Sequence, residues 1–244
     1  VLVARASQLV AALGPQAVLA HAKTFERLCM GQLHETLPRP AGTDPVDHYI
    51  QVLADKTGSL IAVSARYGAM LTGAGATTER IVEEFGEKIG VAFQLADDVI
   101  DLASDSETTG KTPGTDLREG VDTMPVLLLR KALAAGELDA AGQSILSRLS
   151  TGNLNDDAVL ADVVARLHPV LARTREMAMT WAREAVGVLE GLEDAVLAGT
   201  RLRLDAAGAD GAEREEALAD AARRVGLVRA GMEEFARLLV DRAA

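Results

Sequence analysis

Three aspartates sit inside an apolar run, Phe93-Gln94-Leu95-Ala96-Asp97-Asp98-Val99-Ile100-Asp101. Carboxylates this close repel one another, and the neighbouring Leu95, Val99, Ile100 and Leu102 are apolar, which does not suit a solvated acidic face. On a helix, positions i, i+3, i+4 and i+7 share a face. Gln94, Asp97, Asp98 and Asp101 have that spacing, so all four are expected to point into one cavity. Acids near a helix C-terminus are also disfavoured by the dipole, which weighs against loose surface acids. The chain must therefore fold around an internal polar site that holds a cation. Lys111 follows in Gly110-Lys111-Thr112-Pro113-Gly114-Thr115-Asp116, just past the expected helix end. Hard oxygen ligands on a rigid element, beside a lysine, suit Mg²⁺ bridged to a phosphate, and point to a diphosphate.

The rest of the chain reads as helices separated by short Gly/Pro breaks, with no strand pattern of useful length and no internal repeat. Gly14 and Pro15 divide a first helical piece from a second that runs to about Thr36, and Leu37 to Thr43 is a loop. Asp44 caps the next helix with Pro45 at its first position, and that helix carries Lys56 to about Leu71. Gly73 and Gly75 end it. Thr77 or Thr78 is expected to cap the helix that runs from Glu79 to about Ala103. Gly86 and Gly90 lie four apart within it. Each costs about 1 kcal/mol in a helix interior, so close approach of another helix is the expected compensation. Ser104 to Gly120 is a long break, and Asp122-Thr123-Met124-Pro125 starts a helix through Ala134. Later helices are expected from Asn155 to Leu167 and from Pro169 to about Leu197, with a flexible link at 206–211 before an amphipathic segment from Glu213 to Arg242. Asp156-Asp157 reads as a loop and helix cap.

The stretches Phe93 to Asp101 and Gly110 to Asp116 together resemble the second aspartate-rich region of the trans-polyprenyl diphosphate synthases. Gly31-Gln32-Leu33-His34-Glu35 resembles that family's Gly-Gln element, and Lys56-Thr57-Gly58-Ser59-Leu60 its Lys-Thr element, in the family order. The matches run from about Leu2 to about Leu129. The resemblance implies an all-α, isoprenoid-synthase-type helical bundle around a central cavity. It implies one domain over residues 1–244, the C-terminal portion of the family domain, with the segment 206–244 poorly anchored to it. The family carries a first aspartate-rich motif, and no second DDxxD occurs here; the resemblance therefore implies an N-terminal segment that would precede Val1.

The implied activity is trans-prenyl transfer: isopentenyl diphosphate condenses with an allylic isoprenyl diphosphate after Mg²⁺-assisted ionisation. In that reading Asp97, Asp98 and Asp101 are metal-binding and catalytic, with Asp98 between ligand and orienting residue. Lys56 and Lys111 clamp the departing diphosphate, and Thr57, Gln94 and Gln32 contact phosphate oxygens or bound water. The implied partners are a second copy, giving a homodimer, or a small subunit in a heteromer. The alternative is a non-catalytic subunit that binds diphosphate or a partner synthase. A class I terpene cyclase fits less well, because Asn153 to Asp157 supplies no late metal motif.

Composition narrows the field further. The net charge of −11 gives no basic stripe for nucleic acid. No run approaches the roughly 18–20 apolar residues that cross a bilayer. The single Cys29 permits no intrachain disulfide and fits a reducing cytoplasm; between Leu28 and Met30 it is expected to be a small buried hydrophobe. Aromatic residues make up only 3% of the chain, so the core is expected to be aliphatic and helical.

Overall fold

The computed structural model describes residues 1–103 and 114–242, and among them every regular element is helical. The chain runs through α1 (Leu2–Ala11), α2 (Pro15–Thr36) and α3 (Pro45–Leu53). A π-helical turn, Ala54–Gly58, joins α3 to α4 (Ser59–Leu71). Then follow α5 (Ala76–Ala103), the short α6 (Thr115–Arg118), α7 (Met124–Ala134), α8 (Ala140–Thr151) and α9 (Asp157–Val188). A 3₁₀ turn, Leu189–Gly191, leads to α10 (Leu192–Ala207) and α11 (Gly211–Asp241). No helix is long and apolar enough to cross a membrane among the described residues.

The caps follow the side-chain chemistry. Asp44 accepts from the backbone N–H groups of Val46 and Asp47, and Pro45 occupies the first helical position. Asp156 does the same for α9 through Ala158 and Val159. Gly73 and Gly75 take positive φ, 68° and 93°, in the turn between α4 and α5. The helix after this turn begins at Ala76, three residues before the start expected at Glu79, so Thr77 and Thr78 lie inside it.

α5 is the central helix. Along it, α9 packs antiparallel: Leu160, Val163 and Leu167 meet the Leu102 end, and Ala182, Ala185 and Leu189 meet Phe85 and Ile89. On another side α4 comes close because the glycines allow it. A Cβ on Gly90 would stand 2.6 Å from the Cα of Gly58, and one on Gly86 would stand 2.7 Å from the Cα of Ala62. Close approach is the compensation the sequence required of these two glycines.

Several expectations change. α9 continues across positions 168 and 169, where a break was expected at Pro169. Proline removes one backbone hydrogen bond, but Leu160, Val163, Leu167 and Leu171 are all buried and hold the helix on both sides of it. The segment Ala140–Thr151, not expected as a helix, is one, capped by Asp139 on the Gly142 N–H. The Ser104–Gly120 break contains the helical turn α6. At 206–211 the chain makes a tight turn: Gly208 closes α10 with φ +67°, and Asp210 caps α11 through the Glu213 N–H. α11 then packs on the core through Val225, Ala236 and Leu239. Cys29 is exposed, not buried. Phe25, Met30 and Leu33, near it on α2, are also exposed, so this face of α2 has no neighbouring helix among the described residues.

Candidate functional site

The π turn builds the site. One extra residue in a helical turn bulges the backbone and spreads adjacent side chains, which is why such turns recur at functional sites. Here two glycines make room for the bulge. A Cβ on Gly31 of α2 would lie 2.8 Å from the Asp55 Cβ, and Gly90 of α5 faces Gly58. The Gly-Gln element thus supplies a close packing contact as well as a polar side chain.

Lys56 and Thr57 leave the turn toward different helices. The Lys56 ammonium lies 2.5 Å from a Glu35 oxygen, and Gln32 donates to the same carboxylate at 3.0 Å. The Thr57 hydroxyl donates to the Gln94 side-chain oxygen at 2.5 Å. Below them Arg27 ties three elements together: its Nε is 2.8 Å from Asp55, and an Nη is 2.5 Å from Glu87. Gln51 donates to the other Asp55 oxygen at 3.0 Å. Gln32, Glu35, Lys56, Thr57 and Gln94 therefore gather around one turn, held from behind by a charged brace.

The aspartates of α5 each meet a different neighbour. Asp98 is buried, accepting from the Tyr49 hydroxyl at 3.1 Å to each oxygen and from the Met124 backbone N–H at 3.1 Å. Burial pushes its carboxyl up to about 7; the Met124 and Tyr49 hydrogen bonds pull the other way, and Asp116 and Asp97 add to the rise. Burial likewise raises the Tyr49 phenol, and the Asp98 charge adds to it. Asp97 is partly exposed and lies 2.9 Å from an Arg242 nitrogen at the end of α11. Asp101 is half-buried, and its carbonyl accepts from the Gly114 N–H at 2.8 Å. Lys111 lies outside the described residues.

The donor set can be tested against a divalent ion. Among the described residues no three carboxylate, imidazole or thiol side chains form a ready cage. Magnesium does not require one, since it is commonly held by one or two carboxylates together with waters and substrate phosphates. Asp97 and Asp101, four apart on one helix face, provide that partial set. Asp98, engaged by Tyr49 and Met124, is better placed to orient than to ligate.

An apolar cavity of about 810 Å³ lies between α4, α5, α10 and α11. Ile61, four residues beyond Thr57, lines it with Val82, Phe85, Leu192 and Val225. Its size suits an organic ligand. Sequence reasoning missed Tyr49, Arg27 and Arg242. Tyr49 lies 49 residues from its partner Asp98. Arg27 and Arg242 also lie far in sequence from their partners, and none of the three carries a local signal.

Comparison with known proteins agrees with this architecture. Residues 1–159 match the family described as polyprenyl synthetase. The chain is 41% identical over 197 residues to the nonaprenyl diphosphate synthase of Mycobacterium tuberculosis, covering 79% of this chain and 56% of that protein. It is 31% identical over 194 residues to the heptaprenyl diphosphate synthase component 2 of Geobacillus stearothermophilus, covering 78% and 58%. Among solved structures, geranylgeranyl pyrophosphate synthase from Corynebacterium glutamicum, complexed with calcium and isoprenyl diphosphate, superposes with a TM-score of 0.66 at 31% identity, over 100% of this chain and 65% of that one. The chain thus spans somewhat more than half the length of the curated relatives it matches. With the aspartate helix, the Lys-Thr turn and the all-α bundle in place, the chain belongs to the polyprenyl synthetase family.

Proposed function

We propose that the chain takes part in trans-prenyl transfer, in which isopentenyl diphosphate is condensed with an allylic isoprenyl diphosphate. The observation that carries the reading is the π turn, which sets Thr57 beside Gln94 on the aspartate helix and Lys56 beside Glu35 on α2. Lys56 has three N–H donors, of which Glu35 uses one, so the ammonium can donate to a phosphate oxygen without leaving its pair. The Gln94 oxygen accepts from Thr57, which leaves the amide N–H groups to donate to the same anion. Asp97 and Asp101 would hold the ion, for which we propose Mg²⁺; when bound it neutralises charge on the departing diphosphate. Asp98 fixes the helix against α3 and α7. Lys111 is proposed as a second diphosphate contact on its sequence position.

A second reading is a subunit that binds diphosphate and works through a partner. The likeness to a protein named as a synthase component supports it, as does the exposed apolar face of α2. That face also supports a homodimer or a heteromer with a small subunit. We propose the cytoplasm as the compartment, on the single free cysteine.

The test is calorimetry with isopentenyl and geranyl diphosphates, with Mg²⁺ or with EDTA, alongside a radiolabelled condensation assay. Mg²⁺-dependent binding with product supports the enzyme. Mg²⁺-dependent binding without product supports the subunit. Equal affinity in EDTA contradicts the metal role.

A further inference from the structure

Arg242 holds one of the site's carboxylates in a defined way. One guanidinium nitrogen lies 2.9 Å from the Asp97 Oδ1. The guanidinium carbon is 4.6 Å from the centre of the Phe93 ring, so the group lies along α5 over two residues one turn apart. Its Nε donates at 3.3 Å to the Leu239 carbonyl of its own helix. The last turn of α11 is docked by Leu239, 4% exposed, and by Val240 against the core. Three contacts and a docked backbone fix this cation, which a chance surface pair does not require.

We propose that Arg242 is an internal counter-ion that occupies Asp97 and that a divalent ion must displace. The proposal rests on the reading of Asp97 as a metal ligand. The guanidinium holds the Asp97 Oδ1, and a divalent ion on the same carboxylate would stand within a few ångströms of it and repel it. Both Asp97 and Arg242 are about two-fifths exposed, 42% and 44%. A pair this exposed is weak enough for a divalent ion to break. The coupling is reciprocal: the docked Arg242 weakens the ion by the same factor by which the ion weakens the anchoring of the end of α11. Metal binding would therefore loosen the last turn of α11, and loosening that turn would tighten metal binding. The arrangement keeps the aspartate helix from carrying an uncompensated carboxylate when no metal is present.

The experiment uses the full chain, with Mn²⁺ alone as probe, read by electron paramagnetic resonance and by hydrogen exchange of residues 237–242. Arg242→Gln should tighten Mn²⁺ binding about five-fold or more at low salt. The gain should shrink in 0.5 M salt, and Arg242→Lys should fall between the two. In the parent chain, saturating Mn²⁺ should speed exchange in the last turn of α11. Unchanged or weaker Mn²⁺ binding by Arg242→Gln, in a chain of unchanged helicity, overturns the proposal and leaves the metal site standing. No Mn²⁺ uptake by the parent chain, or equal uptake by Asp97→Asn, overturns the assignment of Asp97 itself and this inference with it.

Discussion

The Tyr49 hydroxyl lies 3.1 Å from both oxygens of Asp98, so a single phenol on α3 spans the carboxylate of the central helix from side to side. Tyr49→Phe keeps the ring packing and removes this donor. The variant should lose about 1–3 kcal/mol of stability at pH 8, where Asp98 is charged. The loss should be smaller at pH 5, where Asp98 holds its proton. Urea unfolding at the two pH values measures both, and an equal loss at each would contradict the role of the charge.

Asp98 also sets a pH slope. Its folded-state carboxyl titrates near 7, against an ordinary value near 4. Between these values the folded chain binds one proton more than the unfolded chain. The group's contribution is thus complete below about pH 4 and falls by about 1.4 kcal/mol per unit as pH rises, until it is spent above about 7. Asp98→Asn removes the titration. The stability of the parent chain relative to this variant should fall steadily from pH 4.5 to 6.5, and a flat difference would refute the assignment.

Two glycine substitutions should act in opposite directions. Gly90→Ala places a methyl 2.6 Å from the Gly58 backbone, which cannot rotate away, and α4 must shift. The cost is about 1–3 kcal/mol or more, with weaker diphosphate binding as Thr57 leaves Gln94. Gly226→Ala on α11 meets nothing within 4 Å and should stabilise by about 0.5–1 kcal/mol. Thermal melts of the pair provide the comparison.

Lys56→Met should weaken diphosphate binding at least ten-fold while changing stability by less than about 1 kcal/mol, because the Glu35 pair is partly solvated. Calorimetry and melting on the same sample separate these effects. A large loss of stability with unchanged affinity would make Lys56 a structural residue.

Asp97→Ala and Asp156→Ala should fail in different ways. Losing the Asp156 cap costs about 0.5–2 kcal/mol and leaves metal-dependent diphosphate binding intact. Losing Asp97 should abolish much of that binding with little change in melting temperature. Equivalent behaviour of the two variants would remove Asp97 from the site.

Local chemistry made part of this legible. Asp44-Pro45 and Asp156 start helices because a side-chain oxygen or a missing N–H acts within one turn. Gly86 and Gly90 announced a close helix contact because nothing else repays two glycines in a long helix. The helical spacing of Gln94, Asp97, Asp98 and Asp101 placed them on one side of α5, but could not say that Asp98 turns to Tyr49 and Met124 while Asp97 turns to Arg242. Those partners are 49, 26 and 145 residues away. Pro169 misled because packing on both sides outweighs one lost hydrogen bond. Cys29 misled because apolar neighbours in sequence do not guarantee a partner helix in space. Ala140–Thr151 escaped notice because its large apolar positions, Ile145, Leu146 and Leu149, are few and it relies on α7 and α9 for burial.

The π turn at Ala54–Gly58 fixes the length of the chain as firmly as its composition. A regular helix advances about 100° per residue, so the extra residue offsets the surface frame of α4 from that of α3 by about that angle. Deleting Ala54 would preserve every side chain named in the site and keep the helix continuous. It would also swing α4 by over a quarter turn, carrying Ala62 off Gly86 and parting Thr57 from Gln94. Insertions and deletions in these five positions should thus be far less tolerated than substitutions, and alignments that slide a gap through them would join residues that face different sides of the bundle.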